Sequence, residues 1–167
     1  MRSGLDKLAD LRLIAFDVDG VFTDGRIYLS DDGVETKAFH TQDGYGVRRL
    51  LDTGITVAVI SGRRSGAVEK RMAELGVIHV ILGCKDKVAA MRDLASSLGV
   101  DLQHCAFVGD DVPDLELLGQ VGLPIAVANA VAPVQERCDY VTRRAGGAGA
   151  VREICDLVLA ATSDGRT

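Results

Sequence analysis

The chain has 167 residues, of which 47% are hydrophobic and 26% are charged, and its formal net charge is −5. These values predict one globular domain over residues 1–167, and the acidic balance argues against general affinity for nucleic acid or anionic membranes. No apolar run approaches the roughly 20 residues needed to cross a bilayer, and residues 1–12 lack the apolar segment of a secretory signal. We therefore predict neither a nucleic-acid partner nor a membrane partner.

Short β-branched runs alternate with amphipathic stretches along the chain, which is typical of a parallel sheet with crossover helices. We predict an α/β fold with a Rossmann-like, doubly wound parallel sheet. The predicted strands are 11–17, 55–61, 77–82, 105–109 and 123–127, with a short edge strand at 139–141. The predicted helices are 44–53, 65–76, 87–99, 113–121 and 151–161.

One segment interrupts this alternation. Asp31, Asp32 and Gly33 form a hairpin turn signal between residues 26–30 and 34–39. A β-hairpin is therefore expected after the first strand, projecting beyond the sheet. Neither this hairpin nor the short loops elsewhere are large enough to form a cap that covers a pocket.

Polar residues stand at the carboxyl ends of four predicted strands, where parallel α/β sheets bind their ligands. Asp17 and Asp19 follow the first strand, Ser61 ends the second, Lys87 opens the helix after the third, and Asp110 follows the fourth. One such residue alone is more often a cap or a turn former. Several carboxylates at one edge repel each other unless a cation binds, so we predict a metal site.

These residue types fit phosphoryl transfer to an aspartate. Mg²⁺ prefers hard oxygen ligands, which Asp17, Asp110 and a main-chain carbonyl near Asp19 can supply. Asp17 is the predicted nucleophile, forming an aspartyl-phosphate, and Asp19 is the predicted general acid and base. Ser61 and Lys87 are predicted to stabilise the phosphoryl oxygens.

In order and placement, these motifs resemble those of the haloacid dehalogenase superfamily, which implies a fold of that type. The motifs are Asp17-Val18-Asp19-Gly20, Ser61, Lys87, and Gly109-Asp110-Asp111 with Asp114.

Residues 11–159 more closely resemble the small-cap phosphatases that act on 3-deoxy-D-manno-octulosonate 8-phosphate. This resemblance implies a magnesium-dependent, cytoplasmic step of lipopolysaccharide inner-core sugar synthesis. It also implies a homotetramer in which the hairpins associate and neighbouring subunits cover the sites. The runs that carry the resemblance are 17–25, 43–46, 61–63, 86–87 and 146–153.

The substrate-binding residues are a separate prediction. The guanidinium fork of Arg63 suits a sugar carboxylate, and relatives acting on nine-carbon sugars more often have an acidic residue there. Lys37 and His40, on the hairpin, are expected to be solvated. The remaining candidates for substrate binding are Thr23, Gly44, Gly62 and Arg71.

Three alternatives stay open at this point. The same reaction on 2-keto-3-deoxynononate 9-phosphate or a related sugar acid would use the same catalytic residues. A non-catalytic tetrameric scaffold would use the fold alone. A mutase that returns the phosphoryl group to a sugar is disfavoured because such enzymes generally have larger caps.

The four cysteines are widely spaced and form no CxxC pair, so we interpret them as free thiols in a reducing cytoplasm. They are Cys84, Cys105, Cys138 and Cys155.

Overall fold

The computed structural model describes residues 4–164, with side chains over residues 7–162. Its strands alternate with helices as the sequence predicts, and an antiparallel hairpin follows the first strand. The strands are β1 Leu13–Phe16, β2 Tyr28–Leu29, β3 Glu35–Thr36, β4 Thr56–Ser61, β5 His79–Leu82, β6 Cys105–Gly109, β7 Leu123–Ala126 and β8 Tyr140–Val141. The α-helices are α1 Thr41–Leu51, α2 Gly66–Leu75, α3 Lys87–Ser97, α4 Leu115–Leu118, α5 Ala132–Arg137 and α6 Ala150–Asp164.

Six parallel strands form the main sheet, in the order β5-β4-β1-β6-β7-β8. From β1 the chain moves outward to β4 and β5, then returns to the other side of β1 for β6, β7 and β8. Because crossovers of this kind are right-handed, the reversal puts α1 and α2 on one face and α3, α4 and α5 on the other. Helix α6 packs against α1. The reversal falls at β1, where a doubly wound sheet opens a binding crevice.

Helices on both faces bury the central strands. All four residues of β1 and all five of β6 are buried, which explains their continuous apolar sequence. The residues that follow these strands therefore start from a rigid, close-packed support.

The hairpin after β1 is confirmed, although its strands are shorter than predicted. Tyr28 pairs with Thr36 and Leu29 with Glu35, and Gly33 takes the positive φ of 82° that the turn requires. Apolar side chains on this hairpin are exposed in the chain: Ile27 48%, Tyr28 45%, Leu29 66% and Val34 58%.

The predicted helix at 113–121 is partly wrong. A 3-10 turn, Val112–Asp114, precedes α4, which ends at Leu118. Gly122 then lies so close to the main chain of Gln103 that a Cβ there would overlap it, and its N–H donates to the carbonyl of Leu102 at 2.8 Å, so the segment after α4 is held against residues 102–103. Helix α5 was not predicted, because six residues are too few to show helical periodicity.

Within residues 4–164, no helix is long and apolar enough to span a bilayer.

Candidate active site

Asp17 lies directly after β1, at the reversal of strand order. Its N–H donates to the carbonyl of Val108 at 2.9 Å, which extends the pairing of β1 with β6. Its carboxylate accepts hydrogen bonds from the N–H of Val18 at 2.7 Å and from Nζ of Lys87 at 2.8 Å. The side chain keeps 14% exposure, so a small anionic group can reach it from outside.

Lys87 is the cation of this cluster. It opens α3, where Asp86 caps the helix by accepting from the N–H of Ala89 at 2.9 Å. Its buried ammonium donates to Asp17 and also to Oδ1 of Asp114 at 2.7 Å. Burial lowers the pKa of Lys87, but the charges and hydrogen bonds of the two aspartates outweigh it, so the pKa lies above its ordinary value. Lys87 is therefore charged.

Asp114 organises the loop after β6. This carboxylate, 1% exposed, accepts from the N–H groups of Asp110 at 3.0 Å and Asp111 at 3.4 Å, in addition to Lys87. Asp111 in turn caps the 3-10 turn through the N–H of Val112 at 2.8 Å. Asp114 thus fixes both Lys87 and the backbone that presents Asp110.

Three carboxylates converge at this edge. One oxygen of each of Asp17, Asp110 and Asp114 lies within 4.8 Å of the others. Burial, followed by the charges of Asp17 and Asp114, raises the pKa of Asp110 to about 7. Burial also raises the pKa of Asp17, an effect that the charge of Lys87 offsets only in part. The group therefore holds more negative charge than one lysine neutralises.

This donor set fits Mg²⁺, which prefers carboxylate oxygens. Asp114 is 1% exposed, whereas Asp17 and Asp110 keep partial exposure, so Asp17 and Asp110 are the side chains that would hold the ion. The carboxylate of Asp19 is not part of this three-membered group. A metal contact through the main chain at Asp19 stays a prediction.

Gly20 makes room for Asp110. Its φ is +83°, and a Cβ there would overlap Oδ2 of Asp110, so no other residue fits without displacing that carboxylate. The carbonyl of Gly20 accepts from Nδ2 of Asn129 at 3.0 Å, and Oδ1 of Asn129 accepts from the N–H of Gly146 at 2.6 Å. A Cβ on Gly146 would overlap the carbonyl of Gly20. The glycine run at 146–149 is therefore packed against the loop after β1 at Gly146.

Asp19 belongs to a second charged group. Its carboxylate is paired with Lys37 of the hairpin, and Nε of Arg63 lies 3.8 Å from it. Glu35 contacts both cations, with Arg63 Nη2 at 2.7 Å and Lys37 Nζ at 3.4 Å. The hydrogen bond from Arg63 lowers the pKa of Glu35, so this carboxyl is ionised. The expectation that Lys37 is solvated is wrong, because its side chain is 1% exposed and pairs with Asp19.

Ser61 ends β4 and is 3% exposed. Its hydroxyl oxygen accepts from the N–H of Arg63 at 3.4 Å, and its carbonyl accepts from the N–H of Cys84 at 3.0 Å. The loop after β4 is therefore joined to the loop that leads into Lys87.

The other predicted substrate-binding residues lie in different settings. Thr23 is 1% exposed, and its hydroxyl accepts from the N–H groups of Gly20 and Gly25 at 3.3 and 3.2 Å, which braces the loop after β1. Gly44 lies in α1 against the guanidinium of Arg71, whose described ion pair is with Glu74 at 3.2 Å. Gly62 is exposed, between Ser61 and Arg63. Substrate contact by Thr23, Gly44, Gly62, Arg63 and Arg71 stays a prediction.

Sequence reasoning missed the placement of Lys37 and Asn129. One signal was available for Lys37: it lies two residues after Glu35, so the two side chains share a face of an extended segment. For Asn129 the sequence contained no such signal, because its partners Gly20 and Gly146 are 109 and 17 residues away.

Comparisons with known proteins agree with this geometry. The sequence model of the haloacid dehalogenase-like hydrolases matches residues 78–154. The chain is 48% identical over 155 residues to the 3-deoxy-D-manno-octulosonate 8-phosphate phosphatase KdsC of Escherichia coli K12, covering 93% of this chain and 82% of that protein. It is 45% identical over 157 residues to KdsC of Yersinia pestis, covering 94% and 84% of the two chains.

A solved structure adds information on ligands. The Moraxella catarrhalis enzyme of the same name, in complex with a magnesium ion, a phosphate ion and KDO, superposes with a TM-score of 0.95 at 43% identity, covering 98% of this chain and 94% of that one. The chain belongs to the KdsC family of 3-deoxy-D-manno-octulosonate 8-phosphate phosphatases, within the haloacid dehalogenase-like hydrolases.

Proposed function

We propose that this protein is a magnesium-dependent phosphatase that hydrolyses 3-deoxy-D-manno-octulosonate 8-phosphate to the free sugar acid and inorganic phosphate. The observation that carries the proposal is the partly exposed carboxylate of Asp17, held by the ammonium of Lys87 and within 4.8 Å of an oxygen of Asp110. The names and bound ligands of the relatives support the choice of substrate and metal.

In the first step an oxygen of Asp17 attacks phosphorus, and the bond from phosphorus to the sugar oxygen breaks. Asp19 gives a proton to that oxygen, so the sugar leaves as an alcohol and Asp17 carries the phosphoryl group. Lys87 keeps Asp17 oriented and supplies positive charge beside the phosphoryl oxygens. Ser61, at the end of β4, donates a hydrogen bond to one of them.

In the second step water attacks phosphorus of the aspartyl-phosphate and gives a proton to Asp19. The bond from phosphorus to the oxygen of Asp17 breaks, which restores the carboxylate and releases inorganic phosphate. Asp17 and Asp110 would hold Mg²⁺, whose positive charge would reduce repulsion between the carboxylates and the phosphate.

Substitution of the nucleophile tests this proposal. We expect Asp17→Asn to lower turnover of the sugar phosphate by at least about 10³-fold, because the amide cannot form the intermediate. Asp93→Asn, an exposed site on α3, is the matched control and should keep wild-type turnover. Release of inorganic phosphate is measured with and without a chelator, and circular dichroism checks the fold. Unchanged turnover in Asp17→Asn would reject Asp17 as the nucleophile, whereas a wild-type protein without turnover would favour the scaffold alternative.

Arg63 supports the choice of the eight-carbon substrate. Its half-exposed guanidinium lies beside Asp19, where it is proposed to bind the sugar carboxylate. Comparing kcat/KM for the eight-carbon and nine-carbon sugar phosphates decides the choice. A preference for 2-keto-3-deoxynononate 9-phosphate would overturn it. We expect Arg63→Met to raise KM for the sugar acid phosphate about tenfold, through loss of an ionic contact.

A homotetramer is also part of the proposal. The hairpin exposes four apolar side chains in one short segment, including Leu29 at 66%, and such a surface is typical of association. Packed hairpins would also help to exclude water from sites that lack a large cap. Sedimentation of Leu29→Lys should show dissociation, whereas Ile78→Lys, 82% exposed just before β5, should not. A fully active monomeric wild type would remove this proposal.

We place the enzyme in the cytoplasm as a further part of the proposal. The structure has four free cysteines, two of them buried, which is compatible with a reducing compartment.

A further inference from the structure

Asp19, Lys37, Glu35 and Arg63 form a closed ring of alternating charge. Lys37 pairs with Asp19 and lies 3.4 Å from Glu35, Arg63 pairs with Glu35 at 2.7 Å, and Arg63 returns to Asp19 at 3.8 Å. Glu35 and Lys37 come from the hairpin. Asp19 follows β1 and Arg63 follows β4. The ring therefore joins the hairpin to both loops of the site.

Lys37 is the most constrained member of this ring. Its side chain is 1% exposed, whereas that of Arg63 is 50% exposed. A lysine ammonium is rarely buried unless it is paired, and here Asp19 and Glu35 supply the negative charge. Oε1 of Glu35 is itself buried and lies 3.4 Å from Nζ of Lys37.

We propose that Lys37 is a positioning residue, which holds the carboxylate of Asp19 in the orientation that proton transfer to and from substrate requires. This inference rests on the proposed role of Asp19 as general acid and base. Glu35 balances the charge of Lys37 and fixes its ammonium, and Arg63 closes the ring on the exposed side. The hairpin thereby contributes to catalysis within its own chain, apart from any association between chains.

A merely structural role for Lys37, as an anchor of the hairpin, makes a different prediction. Loss of an anchor would lower the rate for every substrate alike. Loss of a correctly placed general acid lowers the rate of the first step only for substrates whose leaving group must be protonated. A sugar or alkyl phosphate needs one, whereas p-nitrophenyl phosphate leaves as a stable phenolate.

The test compares kcat/KM of Lys37→Met for these two substrates, since this constant reports the steps up to departure of the leaving group. We expect a drop of about 10- to 100-fold for the sugar phosphate, the scale of a displaced general acid, and less than about threefold for p-nitrophenyl phosphate. The kcat values should fall for both, because Asp19 also activates water in the second step. Lys70→Met, an exposed lysine on α2, is the matched control and should match wild type.

Glu35→Gln provides a second variant that keeps the lysine, should Lys37→Met fail to fold. It should show the same split between substrates with a smaller drop, about three- to tenfold in kcat/KM for the sugar phosphate, because only the balancing charge is lost. Equal losses for both substrates, or no loss for either, would overturn the inference. An inactive wild type would instead overturn the proposed function, so the two failures are distinguishable.

Discussion

The site contains two aspartate–lysine pairs whose supports differ. Asp17 is paired with Lys87, which opens a helix packed on the buried sheet. Asp19, two residues further on, is paired with Lys37, which lies one residue beyond the two-residue strand β3 of an exposed hairpin. Both lysines are nearly inaccessible, at 8% and 1% side-chain exposure.

The two proposed catalytic aspartates therefore depend on different parts of the fold. Asp17, the proposed nucleophile, is fixed by the sheet, so its geometry is set once the core has folded. Asp19, the proposed general acid and base, is fixed by the hairpin, so its geometry depends on the position of a peripheral element. The following predictions break one support at a time.

The largest effect is expected from Lys87→Met. It leaves the buried carboxylates of Asp17 and Asp114 without their cation, which should lower turnover by at least about 10²-fold. It should also lower the free energy of unfolding by about 3 kcal/mol in urea titrations without magnesium. Lys85→Met, at an exposed position two residues away, is the control. Wild-type turnover in Lys87→Met would show that the sheet-supported pair is not needed for the reaction.

Gly20→Ala should have the next largest effect, since it acts on Asp110 without removing a charge. Gly33→Ala is a matched control, because Gly33 has nearly the same φ but no heavy atom within 4 Å of its Cβ position. Both variants should lose about 1 kcal/mol of stability through backbone strain. Only Gly20→Ala should also weaken magnesium binding, by about 10- to 100-fold in calorimetric titrations. Equal magnesium affinity in the two variants would contradict the packing of Asp110 on Gly20.

Glu153→Gln is expected to have the smallest effect on catalysis. Glu153 is a carboxylate with structural contacts only, so its variant serves as a reference for the two aspartate–lysine pairs. Glu153 accepts from the hydroxyl of Tyr140 at 2.7 Å and from the N–H groups of Arg143 and Arg144 at 2.9 and 3.0 Å. The variant should keep wild-type kcat and lose about 1–2 kcal/mol of stability at pH 7, the scale of hydrogen bonds to a charged group.

The stability loss in Glu153→Gln should depend on pH. Burial raises the pKa of Glu153, but the hydrogen bonds from Arg143, Tyr140 and Arg144 outweigh burial, so its pKa lies below the ordinary value of 4.5. A carboxyl whose pKa is lower in the folded state stabilises the fold above its unfolded pKa and stops doing so as pH falls through the folded value. Thermal melts of the two proteins should therefore differ near pH 7 and converge as the pH falls below the folded pKa. A constant difference would contradict this assignment.

Much of this arrangement could be predicted from the sequence. The six strands were predicted to within two residues at each end, because apolar runs bounded by polar residues identify buried strands. The convergence of Asp17, Lys87 and Asp110 followed from a general rule, that carboxyl ends of parallel strands meet at one edge. The partners of Asp19 did not follow from any such rule, and Lys37 was assigned to solvent.

The residues at the strand ends, the position of the hairpin turn and the chemical types that fit phosphoryl transfer could all be identified from the chain alone. These features depend on short-range patterns and on one topological rule. The pairing of each lysine with its aspartate is visible only in the folded protein, because Lys87 and Asp17 are 70 residues apart and Lys37 and Asp19 are 18 apart. Such pairings follow from how the hairpin and α3 pack against the sheet, and packing of distant elements leaves no local signal in the chain.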